Sequence, residues 1–100
     1  MINAREERFY YVRSLVDRLP CKILEVERSG RCGMRVRLGP SNVNGLNCWV
    51  DLEFDEAIVD VTTVMGERRR EFIDQVGADD FKEIAAEYLA FASEWLESCC

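Results

Sequence analysis

NCWVDLEFDEAIVDVTTV, residues 47–64, decides the architecture of this chain. Cys48, Val50, Leu52 and Phe54 alternate with Trp49, Asp51, Glu53 and Asp55. That period of two marks a strand with one buried and one open face. Asp55-Glu56 reads as a two-residue turn into a second strand, Ala57 to Val64. This register sets Phe54 beside Ala57, Leu52 beside Val59, Val50 beside Val61 and Cys48 beside Thr63, so the inner pairs are apolar or nearly so. On the outer face it pairs Trp49 with Thr62, Glu53 with Ile58 and Asp51 with Asp60, and two carboxylates in that position repel.

Upstream, residues 21–28 and 33–39 read as two further strands around Ser29-Gly30-Arg31. With Gly30 at the centre of the turn, Leu24 faces Val36, Val26 faces Met34, and Glu25 lies opposite Arg35. Gly39-Pro40-Ser41-Asn42 and Asn44-Gly45 are turn signals. Downstream, Glu67 to Val76 supports two readings. Phe72 and Val76 are spaced for a short helix that Gly77 would end, and the pattern leans that way. As a strand after a Met65-Gly66 turn, the segment would turn Arg68 and Arg70 toward the core, which only an edge strand tolerates.

A helix is expected at each end. Asn3 and Glu6 have capping-box spacing, Phe9, Val12, Val16 and Leu19 form one apolar stripe, and Pro20 closes it. Asp80 and Glu83 repeat the capping signal before a stripe of Phe81, Ile84, Tyr88, Phe91 and Trp95, widened by Ala85, Ala92 and Leu96. The expected fold is α+β: an N-terminal helix, an antiparallel β-meander of four to five strands, and a C-terminal helix packed with the first on one sheet face. Residues 1–100 form one domain in this reading.

A composition 48 % hydrophobic and 32 % charged is that of a folded chain rather than a disordered one. No apolar run reaches the roughly 20 residues of a membrane span, and MINAREERFYYVRSL has no signal-peptide core, so a cytoplasmic location is expected. The five cysteines are odd in number and form no C-x-x-C pair, which points to reduced thiols, with Cys48 in the core. Cys99-Cys100 resembles a prenylated terminus only superficially and reads as a free pair.

The net charge of −6 is uneven: residues 1–40 balance to +4 and residues 41–100 to −10. The acidic half disfavours direct nucleic-acid binding and favours a basic protein partner. With no histidine, the commonest general base and metal ligand is missing, and SGRCG lacks the spacing of a phosphate-cradling loop. The expected role is therefore not enzymatic, with no catalytic residues, metal or cofactor. The outer face around Trp49 has two readings: a solvated surface on which Trp49 shields its neighbours, or a docking site. In the second, Trp49 anchors a patch of Asp51, Glu53, Asp55, Glu56 and Asp60 that steers a basic partner.

NGLNCWVDLEFDEAIVDVTTVMGERRREFIDQV and the closing DDFKEIAAEYLAFASEWL, about half the chain, resemble small bacterial immunity proteins of contact-dependent inhibition systems, the TriTu immunity family in particular. The resemblance rests on a Trp-bearing strand, an acidic turn, a strand like AIVDVTTV and a Gly-Glu hairpin before another strand. The Arg-rich Glu67–Glu71 segment departs from that pattern. The resemblance implies a fifth strand there, and a protein that binds and neutralises a cognate toxin domain by occluding its basic active-site surface. It further implies that the toxin is a nuclease, of a kind that can act with a translation elongation factor. The alternatives are a type III secretion effector chaperone, which would dimerise and expose apolar grooves, and a phage-encoded acidic inhibitor that mimics nucleic acid.

Overall fold

The computed structural model describes residues 4–29, 32–39, 42–43 and 46–98. Its order is α1 (Ala4–Asp17), β1 (Lys22–Ser29), β2 (Gly33–Gly39), β3 (Asn42–Val43), β4 (Leu46–Asn47), β5 (Val50–Phe54), β6 (Ile58–Thr63), β7 (Arg68–Phe72) and α2 (Ala78–Ser98). Strands β1-β2-β5-β6-β7 form one antiparallel meander, and β3 with β4 forms a small separate hairpin. The fold is α+β, as expected. Asn3, Gly30, Pro40, Ser41, Asn44, Gly45 and Cys99-Cys100, which carried capping, turn and thiol readings, lie outside the described residues.

Both helices cover one face of the sheet. Phe9, Val12 and Val16 of α1 and Phe81, Ala85, Tyr88, Leu89, Ala92 and Leu96 of α2 are buried with the inward residues of β2, β5 and β6. The Phe9 and Phe54 rings lie 5.8 Å apart and join α1 to the sheet, while α2 rests on β5 and β6. Leu52 is fully buried, with Val36 and Val61 as its cross-strand neighbours. In α2 the buried face runs through Phe81, Ala85, Tyr88, Leu89, Ala92 and Leu96, with Ile84, Phe91 and Trp95 half-buried beside it. The helix begins at Ala78, where the Gly77 carbonyl accepts from the Phe81 N–H at 2.9 Å. Asp80 therefore lies inside the first turn with Asp79, where both complement the helix dipole, and does not cap. Among the described residues no helix is long and apolar enough to cross a membrane.

Three expected registers are corrected, each by the chemistry of a turn or bulge. In the β5–β6 hairpin the Asp55 carboxylate accepts from the N–H of Ala57 at 2.7 Å and of Ile58 at 3.0 Å. The loop is thus Glu56-Ala57, closed by the Asp55 N–H donating to the Ile58 carbonyl. Pairing moves by two residues: Phe54 faces Val59, Leu52 faces Val61 and Val50 faces Thr63. An even shift leaves every side chain on its expected face, but Asp51 now meets Thr62, and Asp60 meets Glu53. The expected Asp51–Asp60 pair does not form.

The β1–β2 pairing also moves by two, to Val26 with Val36, Glu25 with Arg37 and Glu27 with Arg35. A bulge between Ile23 and Glu25 absorbs one residue of β1. The third correction is the Glu67–Val76 segment, which holds the edge strand β7 (Arg68–Phe72) followed by a turn and not a helix. Its turn holds three residues, with the Thr63 N–H donating to the Glu67 carbonyl and Gly66 at φ 92°. One residue more than the expected Met65-Gly66 turn reverses the face of every β7 side chain. Arg68 and Arg70 consequently lie on the open face, and Arg69 lies on the helix side over the Tyr88 and Phe91 rings.

Candidate functional site

The uncovered face of the sheet brings together four of the six residues singled out from the sequence: Trp49, Asp51, Glu53 and Asp60. Alternation along each strand and the observed registers arrange this face in two rows. One row runs Glu25, Arg37, Asp51, Thr62, Arg68 from β1 to β7; the next runs Glu27, Arg35, Glu53, Asp60, Arg70. The face is therefore a lattice whose charge alternates along these rows, except at neutral Thr62 and where Glu53 lies opposite Asp60. That like-charge contact is offset by Arg35 on one side and by Arg68 and Arg70 on the other. Four arginines missed as site residues stand against five carboxylates, so the face is not uniformly acidic.

Arg37 organises the Trp49 end. Its guanidinium forms a two-pronged bond to Asp51, 2.8 Å from Nε to Oδ1 and 3.0 Å from Nη2 to Oδ2, and stacks 4.0 Å from the Trp49 ring centre. Trp49 is half-buried beneath it, and its carbonyl accepts from the Val64 N–H, which extends the β5–β6 pairing. Arg35 reaches Glu53 at 3.0 Å in a more exposed pair.

Asp60 has a different environment. It is only 3 % exposed and accepts hydrogen bonds from both Arg68 and Arg70. Burial alone would raise its carboxyl pKa, but the bonds and charges of the two arginines outweigh that and hold it below the ordinary value. Burial and internal pairing leave Asp60 as a support of the face rather than a contact point. The remaining two expected site residues lie at the β5–β6 turn. Asp55 uses its carboxylate to close the loop, and Glu56 is exposed at its tip.

The arginines were visible in the sequence as the alternations in MRVRL and RRREF. Alternation alone put Arg35 and Arg37 on the open face, whereas the place of Arg68 and Arg70 there depended on the length of the β6–β7 turn, which composition does not encode. Among the described residues no cluster of three or more histidine, cysteine, aspartate or glutamate side chains could hold a metal ion. Comparisons with protein-family models, curated proteins and solved structures find no match to this chain.

Proposed function

We propose that this chain is an immunity-type protein that binds a toxin domain and neutralises it by occluding its basic active surface. The observation that supports this reading is the one-sided sheet. Two helices cover one face, and the other presents Trp49 within ordered rows of charge. Stability alone requires only that the open face be polar. The Arg37 contact holds the Trp49 ring on that face, where an aromatic ring among charges can anchor a partner.

The charge lattice changes how such docking would work. The Arg35–Glu53 pair is exposed, and solvent screening leaves such a pair weak. A lysine or arginine of the partner can therefore take over Glu53, and in part Asp51, at small cost. The displaced Arg35 and Arg37 then meet carboxylates on the partner. Recognition by alternating pairs fixes register as well as charge, which suits a folded protein partner better than a mimic of the phosphate backbone. Asp60 and Asp55 hold the face in shape, while Trp49, Asp51, Glu53 and Glu56 make the contacts.

The test is to sequence the genes flanking this one in its native genome and to co-express the chain with any toxin domain found there. The wild-type chain should restore growth and co-purify with that domain. The double variant Trp49→Ala with Asp51→Asn should keep its unfolding transition and lose protection. Absence of both protection and complex formation for the wild type would overturn the reading.

A further inference from the structure

Strand β1 is the longest in the sheet, and among the described residues no strand pairs with its outer edge. Every β1 residue except Leu24 is exposed. Natural edges are usually blunted by bulges, proline or a covering element, because unpaired N–H and C=O groups invite another strand. Here the bulge lies near the start of β1, and the register from Glu25 to Ser29 is regular.

The two faces of this edge have distinct chemistry. On the helix side Ile23 and Val26 remain 36 % and 41 % exposed, because α2 rests on β5 and β6 instead. On the open side Glu25 and Glu27 stand opposite Arg37 and Arg35, but both guanidiniums turn away toward β5. Among the described residues Glu25 and Glu27 make no ion pair. They line one side of an open groove of about 220 Å³ whose other walls are Arg35, Arg37 and Asp51.

A second copy does not fit this edge. A two-fold antiparallel pairing of β1 with itself, with faces matched, sets Glu25 or Glu27 against Glu25 or Glu27 in its central registers, and like charges so placed repel. An extended chain with basic residues at alternate positions does fit. Its lysines or arginines, two residues apart, meet Glu25 and Glu27, and its intervening apolar side chains cover Val26 and Ile23. Its backbone takes the free edge. We infer that the β1 edge receives an extended segment of a partner protein, basic at alternate positions, as a sixth strand of the sheet.

The full-length chain, labelled with nitrogen-15, is titrated with a capped octapeptide alternating lysine and valine, and in parallel with one alternating glutamate and valine. The lysine peptide should bind saturably and slow amide exchange in Lys22–Ser29 and not in Arg68–Phe72. The glutamate peptide should bind at least tenfold more weakly. A Glu25→Gln, Glu27→Gln variant should lose at least fivefold in affinity for the lysine peptide. No binding, equal binding of the two peptides, protection on β7, or a dimer formed through β1 without peptide would each overturn the inference. No toxin enters this assay, so its failure leaves the neutralisation reading standing.

Discussion

Asp60 on β6 lies directly opposite Arg70 on β7, and its Oδ2 accepts from Arg70 at 2.9 Å and from Arg68 at 2.7 Å. A buried carboxylate bonded by two guanidiniums fastens the edge strand to the sheet. Asp60→Asn should therefore cost about 1.5–3 kcal/mol at neutral pH, the range for hydrogen bonds to charged groups. The sign of the pH dependence follows from the lowered pKa of Asp60 in the fold. The contribution is fully present above the unfolded value of about 4 and is lost as pH falls through the lower folded value. Urea unfolding at pH 7 and pH 3 checks this: the gap between wild type and variant should narrow at pH 3. A gap of constant size would assign the effect to packing.

Gly33 opens β2 where the chain leaves its first hairpin. A Cβ there would stand 2.6 Å from the Ser29 carbonyl oxygen and 3.2 Å from that of Phe54. Backbone lies on two sides, so no side chain can yield. Gly33→Ala should destabilise by about 1–3 kcal/mol, as other overpacked substitutions do. At Gly77 a Cβ meets nothing within 4 Å, so Gly77→Ala is the matched control. Thermal unfolding of the two variants should separate them clearly.

Burial ranks the core. Leu52→Ala should cost about 2–5 kcal/mol, because Leu52 is fully enclosed on the central strand. Phe91 belongs to the helical stripe but is half-buried, with the Arg69 guanidinium 5.1 Å from its ring. Phe91→Ala should consequently cost less than Leu52→Ala in denaturant titrations, although phenylalanine is the larger side chain. The reverse order would mean that α2 presents a different face to the sheet.

Periodicity was enough to read the two terminal helices, the first four strands of the meander and the inward set Val50, Leu52, Phe54, Val59 and Val61, but it leaned to a helix where β7 lies. Registers were not legible, because they depend on turn chemistry that the hydrophobic pattern constrains only in parity. Asp55 moved one hairpin by two residues and left the faces unchanged, so the core reading survived while the Asp51–Asp60 pair did not. The extra residue before Gly66 changed parity, which placed Arg68 and Arg70 beside Asp60. Without that register, Asp60 reads as a surface acid rather than a buried one.

Arg8 was likewise silent in the sequence, because its partners are backbone carbonyls far along the chain. Its Nη1 donates to the Ile73 carbonyl at 2.8 Å and its Nη2 to the Val76 carbonyl at 2.6 Å, with the Phe81 ring 4.7 Å from the guanidinium. One side chain thus ties α1 to the connection between β7 and α2. Arg8→Lys keeps the charge but cannot span both carbonyls or stack as a plane. It should lose about 1–3 kcal/mol, and hydrogen exchange should quicken first at residues 73–77. Unchanged exchange there would mean that the connection holds without the clamp.

Trp49 keeps its place on the open face through Arg37, and Arg37 keeps its place through Asp51. The fork from Asp51 fixes the guanidinium plane that lies over the indole. A cycle of Arg37→Met and Trp49→Leu should give a coupling of about 0.5–1 kcal/mol, the value for a cation over an aromatic ring at a partly exposed site. Repeated in an Asp51→Asn background, the same cycle should give a smaller coupling, since the amide cannot hold both guanidinium nitrogens as a charged fork. An undiminished coupling would show that Arg37 settles on the indole unaided, and that Asp51 is available to a partner without disturbing Trp49.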